Sequence, residues 1–211
     1  MTAAVLISGG GSNLQAFIDA VELGELDVNI GVVLSNRANA FGLERAKDAG
    51  IPVECLSHRG FADREAFDTA LVQTLSAYAP DMIILAGFMR ILTPVFINHF
   101  AGRILNIHPS LLPNYPGLNT HQRAIEAGDR WHGCTVHFVT AELDSGAAIM
   151  QGRVAVQAGE TGEDLAERVL QVEHRIFPRA AALLASGRLE YRSGEAWLDG
   201  QMLEQPIQFQ S

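Results

Sequence analysis

The chain has few of the residues that mark secreted, membrane-spanning and nucleic-acid-binding proteins. Its only cysteines among 211 residues, Cys55 and Cys134, form no C-x-x-C pair, which indicates a reducing compartment and two buried thiols. No apolar run approaches the roughly 20 residues of a membrane-spanning helix. Residues 1–4 carry no basic side chain of the kind that opens a signal peptide. We therefore expect a cytoplasmic protein without a membrane segment.

Basic residues are also scarce. The chain has 15 Lys and Arg against 24 Asp and Glu, a formal net charge of −9. Because affinity for phosphate backbones grows with the number of Lys and Arg contacts, this composition excludes broad nucleic-acid binding. Any anionic ligand must then be bound at a local site. With 48% apolar residues, a chain of this length can bury a core of its own, and its length favours one domain.

Short apolar runs alternate with helix-like stretches through the first half, which is typical of βαβ units. Continuous apolar runs of this length suit parallel strands that are buried on both faces. The predicted helices are Asn13–Leu23, Phe41–Ala49, a helix capped by Asp63 that runs to about Ala77, and a short helix from Pro94. The predicted strands are Val5–Ile7, Asn29–Leu34, Val53–Leu56, Met82–Ala86 and Arg103–Ile107.

The second half predicts two strands and a long helix. Gly133–Val139 and Ala148–Val156 are predicted strands, and the helix from Glu163 to about Ala185 is expected to be interrupted near Pro178. The tail after Gly187 is predicted to be turn-rich and peripheral. We predict one doubly wound, three-layer α/β/α domain over residues 1–211, with a mostly parallel sheet of about seven strands. Residues 1–100 and 101–200 form its two halves.

A glycine-rich loop lies between the first strand and the first helix. Backbone N–H groups at a helix N-terminus can bind an anion, so Gly11, Ser12 and Asn13 are candidates for a phosphate site. The loop is not a P-loop, because no Gly-Lys-Ser/Thr follows, and it lacks the third glycine of the dinucleotide fingerprint, where Leu14 stands. A tight turn whose glycines serve geometry alone is the alternative.

Asn106 and His108 follow a predicted strand, at the edge where open α/β sheets bind ligands. Their period-2 spacing points both side chains the same way. An amide donor beside an imidazole suits a developing oxyanion, with one hydrogen bond from the amide and a proton or second bond from the histidine. The alternative is an ordinary histidine that caps a loop. The prolines that follow, Pro109, Pro113 and Pro116, favour a rigid wall of a preorganised site.

Two acidic residues are further candidates. Asp144 lies in a loop between two predicted strands, and if it approached His108 its charge would favour the imidazolium. An ordinary Asp-Ser-Gly turn is the alternative, and spacing alone does not decide between them. Glu173 lies within the apolar stripe of the long helix, where a carboxylate needs a partner such as a buried arginine or the hydroxyls of a ligand. Fraying of the helix edge is the alternative.

Other catalytic schemes find little support. The chain has no G-x-S-x-G and no H-E-x-x-H motif. His108, His121, His132 and His137 could in principle bind a metal. However, His132 and His137 are five residues apart and would face opposite sides of one strand, so we expect no metal site.

Four motifs in a fixed order carry a resemblance to a known family. They are Ser8–Asn13, Leu85–Leu92, Asn106–Pro113 and Leu143–Gly146. The chain resembles the glycinamide ribonucleotide formyltransferases from about residue 4 to Gly200, including Thr135–Val139 and Glu173. The resemblance implies the formyltransferase fold, with a phosphate-binding first half and a catalytic, folate-binding second half. It also implies transfer of a formyl group from 10-formyltetrahydrofolate to glycinamide ribonucleotide in de novo purine synthesis, without a metal.

The same resemblance implies residue roles. Asn106, His108 and Asp144 would be catalytic, and the ribonucleotide would be bound by Gly11, Ser12, Asn13, Gly87, Pro109 and Glu173. The folate would contact Arg64, Met89, Arg90, Ile91, Leu92, Asn106 and the loop of Thr140, Ala141, Glu142, Leu143 and Asp144. Ala141 and Asn114 depart from the family, which often has an acidic and a basic residue there, and this affects only peripheral folate contacts. The partners are small molecules, and the protein is expected to be a monomer or weak homodimer.

Four other functions compete with this one. A methionyl-tRNA formyltransferase resembles the same core with a further basic domain, and a formyltetrahydrofolate hydrolase carries an extra N-terminal domain; length and charge disfavour both. Another amine formyltransferase is a further alternative. A non-catalytic nucleotide-binding module would leave Asn106, His108 and Asp144 unexplained.

Overall fold

A computed structural model describes residues 1–209. They form two compact units, of which the first is Met1–Asn106 and the second begins at Ile107. The prediction of one domain over residues 1–211 includes residues 210 and 211, which lie outside the described residues, and it stays a prediction. No helix within residues 1–209 is long and apolar enough to cross a membrane.

The first unit contains a parallel sheet whose strands alternate with helices. Strand β4 pairs with β1 and with the start of β5, while β2 pairs with β1 and β3, all in parallel. A one-turn 3-10 helix covers His58–Gly60. The strands are β1 Thr2–Ile7, β2 Asn29–Ser35, β3 Val53–Cys55, β4 Met82–Leu85 and β5 Ile104–His108. The helices are α1 Ser12–Glu22, α2 Phe41–Asp48, α3 Arg64–Ser76 and α4 Pro94–His99.

Burial on both faces explains why these strands are continuous apolar runs. All four residues of β4 are buried, and so are the last five of β1. Helices α1 and α3 contribute Phe17 and Phe67, both almost completely buried. Asp63 begins α3, because its carboxylate accepts a hydrogen bond from the backbone N–H of Ala66 at 2.8 Å.

The second unit combines an antiparallel strand pair with a long helix. β6 Trp131–Phe138 and β7 Ala148–Ala155 are antiparallel, and β11 Ile207–Phe209 is parallel to β7. Helix α5 is Thr120–Glu126, and α6 is Gly162–Ala185. The strands β8 Leu189–Arg192, β9 Glu195–Leu198 and β10 Gln201–Met202 form a separate antiparallel sheet.

The α/β class with a mostly parallel sheet is confirmed. The first unit contains β1 to β4 and the start of β5, and the second contains β6, β7 and β11 besides the small sheet of β8–β10; about seven strands were predicted. The order of helices and strands in the first half matches the prediction, with ends that differ by at most three residues.

Four predictions were wrong or incomplete. Helix α6 continues through Pro178, because buried neighbours such as Phe177 and Ala181 hold the segment helical and offset the cost of about 3 kcal/mol that an internal proline carries. The tail after Gly187 forms β8–β11 instead of isolated turns. Helix α5 was not predicted. Cys134 is buried, but Cys55 is exposed at the end of β3.

Candidate active site

His108 is the last residue of β5, and its ring is held on both nitrogens by acceptor groups. Its Nε2 lies 2.9 Å from the backbone carbonyl oxygen of Tyr115. Its Nδ1 lies 3.4 Å from Oδ2 of Asp144, and only 7% of its side chain is exposed. A carbonyl oxygen can only accept, so Nε2 carries a hydrogen in this contact. A carboxylate oxygen likewise accepts, so the contact with Asp144 requires a hydrogen on Nδ1.

Asp144 reaches His108 from the loop between β6 and β7. Its side chain is 8% exposed, and Oδ2 also accepts a hydrogen bond from the backbone N–H of Gly117 at 2.9 Å. Asp144 adopts a left-handed backbone conformation with φ 52°, which is uncommon for residues with a Cβ atom. The approach of Asp144 to His108, which the sequence left open, is thus present in the structure.

The proline-containing segment after His108 is fixed by buried polar side chains of β6 and β7. The Thr135 hydroxyl donates to the carbonyl of Ser110 at 2.7 Å and accepts from the N–H of Leu112 at 3.0 Å. Gln151 donates to the carbonyl of Leu112 at 2.8 Å. These bonds satisfy backbone groups that a buried irregular segment would otherwise leave unpaired. The expected rigid wall is therefore held by β6 and β7 as well as by its prolines.

Two further histidines lie close to His108. His132 Nε2 is 3.1 Å from Nδ1 of His121, and His132 also donates to the backbone carbonyl of Pro109. Burial lowers the pKa of His132 to about 4, with a smaller contribution from the charge of His121. Burial also lowers the pKa of His121, followed by the charge of His108. Both rings are neutral near pH 7 and act as structural hydrogen-bonding groups.

His137 faces the interior of the second unit on β6. One of its ring nitrogens lies 2.9 Å from the carbonyl oxygen of Phe138, and burial lowers its pKa. Among residues 1–209, no group of three His, Cys, Asp or Glu side chains could hold a metal ion.

The glycine loop in the first unit is shaped by a close approach of two backbones. Gly11 has φ 71°, and a Cβ atom built on it would lie 2.7 Å from the Cα of Gly42, so its glycine is needed for geometry. The first turn of α1, which begins at Ser12, contains no acidic residue. An anion at the start of α1 would therefore meet no repulsion from a carboxylate in this turn.

Ser8 connects the glycine loop with the segment that contains Gly87 and Met89. Its hydroxyl donates to Oδ1 of Asn36 at 2.6 Å and accepts from the backbone N–H of Met89 at 2.8 Å. Gly87 has φ 79°. Met89 and Ile91 are 63% and 58% exposed, which is unusual for two large apolar side chains so close together and suits a ligand-binding edge. Arg90 stacks over the Phe67 ring at 5.9 Å.

The remaining predicted residues lie on two loops and two helices. Arg64 is the first residue of α3 and has an exposed side chain. The loop of Thr140, Ala141, Glu142 and Leu143 is largely exposed, and the backbone carbonyl of Glu142 accepts a hydrogen bond from Ser145 at 3.2 Å. Glu173 is 7% exposed within α6. The charge of Glu173 is a secondary cause, after burial, of the raised pKa of the Cys134 thiol. Fraying of the helix edge is therefore not the explanation for Glu173.

Sequence reasoning missed the residues that hold the site together. Tyr115, Asp129 and Thr135 each bind a backbone or side-chain group close to His108, and none was singled out for that role. A buried threonine at the centre of β6 was the one signal available, because Thr135 alternates with His137 on the same strand.

The fold, together with the approach of Asp144 to His108, is typical of an α/β enzyme whose site offers a histidine beside a carboxylate. The chain belongs to the formyl transferase family, whose model matches residues 1–181. It is 53% identical over 203 residues to the phosphoribosylglycinamide formyltransferase of Escherichia coli K12, covering 96% of both chains. It is also 48% identical over 192 residues to the trifunctional purine biosynthetic protein adenosine-3 of Bos taurus, covering 91% of this chain and 19% of that protein.

Solved structures agree with this assignment. The phosphoribosylglycinamide formyltransferase of Coxiella burnetii, solved in complex with CHES, superposes with a TM-score of 0.95 at 46% identity and covers 100% of this chain and 99% of that one. The glycinamide ribonucleotide transformylase 1 of Symbiobacterium toebii gives 0.91 at 46% identity, covering 94% and 93%. The resemblance inferred from the four motifs is thereby confirmed.

Proposed function

We propose that this chain transfers the formyl group of 10-formyltetrahydrofolate to the amine of N1-(5-phosphoribosyl)glycinamide. The products are the N-formyl ribonucleotide and tetrahydrofolate, in de novo purine biosynthesis. The observation that carries the proposal is the His108 ring, held between the Asp144 carboxylate and the Tyr115 carbonyl. The chain also matches the phosphoribosylglycinamide formyltransferase of Escherichia coli K12 over 96% of the length of both proteins.

The residues of β5 and the Asp144 loop would carry the chemistry. The amine nitrogen attacks the formyl carbon, forming a C–N bond and placing negative charge on the formyl oxygen. The amide of Asn106 donates a hydrogen bond to this oxyanion, and the charged His108 stabilises or protonates it. Asp144 keeps His108 charged and accepts the proton that the attacking amine must lose. The oxyanion then collapses to the carbonyl of the new amide, the bond from carbon to the folate nitrogen breaks, and that nitrogen receives the proton that the amine gave up to Asp144.

The ribonucleotide would be bound by groups that suit its phosphate and hydroxyls. Gly11, Ser12 and Asn13 offer backbone N–H groups at the start of α1 for the phosphate. The buried carboxylate of Glu173 would accept hydrogen bonds from the ribose hydroxyls, which would offset its desolvation. The resemblance adds Gly87 and Pro109 to this set.

The folate would lie against exposed apolar side chains and backbone. Met89, Ile91 and Leu143 are each more than half exposed, and such side chains fit the flat apolar surface of a pterin and a benzoyl ring. Arg90, Leu92 and Asn106 would complete this surface, together with Thr140, Ala141, Glu142 and Asp144. Arg64 would pair with the carboxylate of the folate tail.

The proposal includes the setting of the reaction. The enzyme would act in the cytoplasm on small molecules, as a monomer or weak homodimer, with folate as co-substrate and without a metal. The catalytic fold would comprise the whole of residues 1–211.

A spectroscopic assay tests this function. Purified protein is mixed with 10-formyltetrahydrofolate, with and without the ribonucleotide, and tetrahydrofolate formation is followed. Turnover that requires both compounds, and that His108→Ala abolishes while both still bind, is the expected result. Folate turnover without the ribonucleotide would identify a hydrolase, and no turnover in either mixture would refute the proposal.

A further inference from the structure

The carbonyl of Tyr115 makes a shorter polar contact with the His108 ring than Asp144 does. The Nε2 to oxygen distance is 2.9 Å, whereas Nδ1 is 3.4 Å from the Asp144 carboxylate. Because the carbonyl fixes a hydrogen on Nε2, the working proton of the ring is the one on Nδ1. That nitrogen faces Asp144, which the mechanism above requires. The direction of one backbone carbonyl therefore decides which nitrogen of His108 does the chemistry.

The backbone of Tyr115 adopts a conformation that needs support. Its φ is 54°, in the left-handed region that costs a residue with a Cβ atom roughly 1–2 kcal/mol. Glycine would adopt it without this cost, yet a tyrosine stands here. The side chain of Tyr115 must therefore contribute contacts that offset the strain.

Three contacts hold the Tyr115 side chain. Its hydroxyl donates to Oδ2 of Asp129 at 2.7 Å. The Arg123 guanidinium lies over the ring at 5.2 Å, and the ring meets His132 edge to face at 6.2 Å. The hydrogen bond to Asp129 is the main cause of the raised pKa of Tyr115, followed by burial. The hydroxyl thus stays protonated and keeps donating through the neutral range.

Asp129 is itself placed by the end of helix α5. Its backbone N–H donates to the carbonyl of Ala124 at 3.1 Å, directly after Gly128, whose φ is 71°. The chain of contacts runs from the end of α5 through Asp129 and the Tyr115 hydroxyl to the Tyr115 carbonyl and His108. Each step lies within the second unit.

We propose that Tyr115 and Asp129 are positioning residues for His108. The hydrogen bond between their side chains holds the Tyr115 carbonyl against Nε2, which fixes the ring and leaves Nδ1 as the nitrogen that carries the working proton beside Asp144. This inference rests on the proposed function for its effect on rate, but its effect on the ring does not.

The other titratable groups close to His108 do not replace the hydrogen bond between its Nε2 and the Tyr115 carbonyl. Asp144 is the carboxylate that faces the ring. The electrostatic neighbours His121, His132 and His137 are neutral near pH 7, since burial lowers the pKa of each. Loss of an acceptor at Nε2 would destabilise the charged ring, because these neutral neighbours supply no negative charge to replace it.

Four variants and one control test the proposal. Tyr115→Phe and Asp129→Ala each remove the hydrogen bond between the two side chains. The double variant removes the same bond and should add no further loss. Asp129→Asn keeps an acceptor oxygen and should restore the contact. The control is Tyr78→Phe, because the Tyr78 hydroxyl donates to Glu54 at the same 2.7 Å in the first unit and neither residue belongs to the proposed site. Thermal unfolding confirms that each variant folds.

The first readout needs no substrate. In ¹⁵N-histidine spectra, with the His108 signals assigned through His108→Asn, we expect an Nε2–H protected from exchange with water in the wild type, Asp129→Asn and Tyr78→Phe. Exchange should be about tenfold faster in Tyr115→Phe and Asp129→Ala. Unchanged exchange in these two variants would overturn the proposal, even if the wild type transfers formyl groups.

The second readout is the rate of formyl transfer. Tyr115→Phe and Asp129→Ala should lower kcat about tenfold, leave both KM values within about twofold, and move the alkaline limb of the pH–rate profile to lower pH. The double variant should be no slower than either single one. A rise in KM alone, or additive losses, would contradict the positioning role. A wild type without activity but with the expected exchange pattern would instead refute only the proposed function.

Discussion

Replacement of His132 should reduce the sensitivity of the fold to acid. Its imidazole is buried, with 1% of the residue exposed, and its pKa is about 4 against an ordinary value of 6.5. The unfolded chain therefore binds a proton in the range where the folded chain does not. Stability from this group is fully present above pH 6.5 and is lost as the pH falls towards 4.

The size of the effect follows from the shift. A difference of about 2.5 pKa units corresponds to roughly 3 kcal/mol in full, and about 2 kcal/mol of it is lost between pH 7 and pH 5. His132→Gln keeps an amide that can donate to the Pro109 carbonyl but cannot take up a proton. We expect the free energy of unfolding of this variant to fall by about 2 kcal/mol less than that of the wild type over the same pH interval.

Urea unfolding at pH 7 and pH 5 measures this directly. His99→Gln serves as control, since it removes one exposed histidine at the end of α4. An equal loss of stability in His132→Gln and the wild type between the two pH values would refute the assignment of His132 as a buried neutral group.

Three further predictions follow from the structure. Asp144→Asn should lower kcat by about 100-fold or more, because an amide does not favour the charged His108, and wild-type rates across pH would contradict the pairing. Gly11→Ala should destabilise the fold by at least 1 kcal/mol more than Gly24→Ala, since both have a φ near 71° but only Gly11 meets a backbone atom at 2.7 Å; equal losses in urea unfolding would contradict this. Cys55 should react with a thiol reagent in the native protein while buried Cys134 reacts only on unfolding, so a count of two reactive thiols in the native state would contradict the structure.

Most of the fold could be predicted from the sequence because the buried strands are almost purely apolar. Val5–Ile7 and Met82–Ala86 could be assigned from composition alone, since both faces of such strands are covered. Helix α5 could not be, because only Thr120 and Ala124 of its seven residues are buried and no apolar stripe marks it. The interruption predicted at Pro178 was wrong, because the tertiary packing of α6 outweighs the local cost of the proline.

The candidate site, too, could be predicted from the sequence only in part. Asn106 and His108 are two residues apart on one strand, so their common face followed from the pleat. The approach of Asp144 to His108 depends on a left-handed residue and on the Gly117 N–H, neither of which has a local sequence signal. Tyr115 and Asp129 were missed for the same reason, since a tyrosine at φ 54° is held there by tertiary contacts.

The most direct test of the central claim follows the formyl carbon itself. Protein is mixed in a single turnover with 10-formyltetrahydrofolate labelled with ¹³C in the formyl group and with phosphoribosylglycinamide, and the carbon is located by NMR. We expect the label to appear in the amide of the N-formyl ribonucleotide, and His108→Ala to leave it on the folate. Recovery of the label as free formate would contradict this expectation.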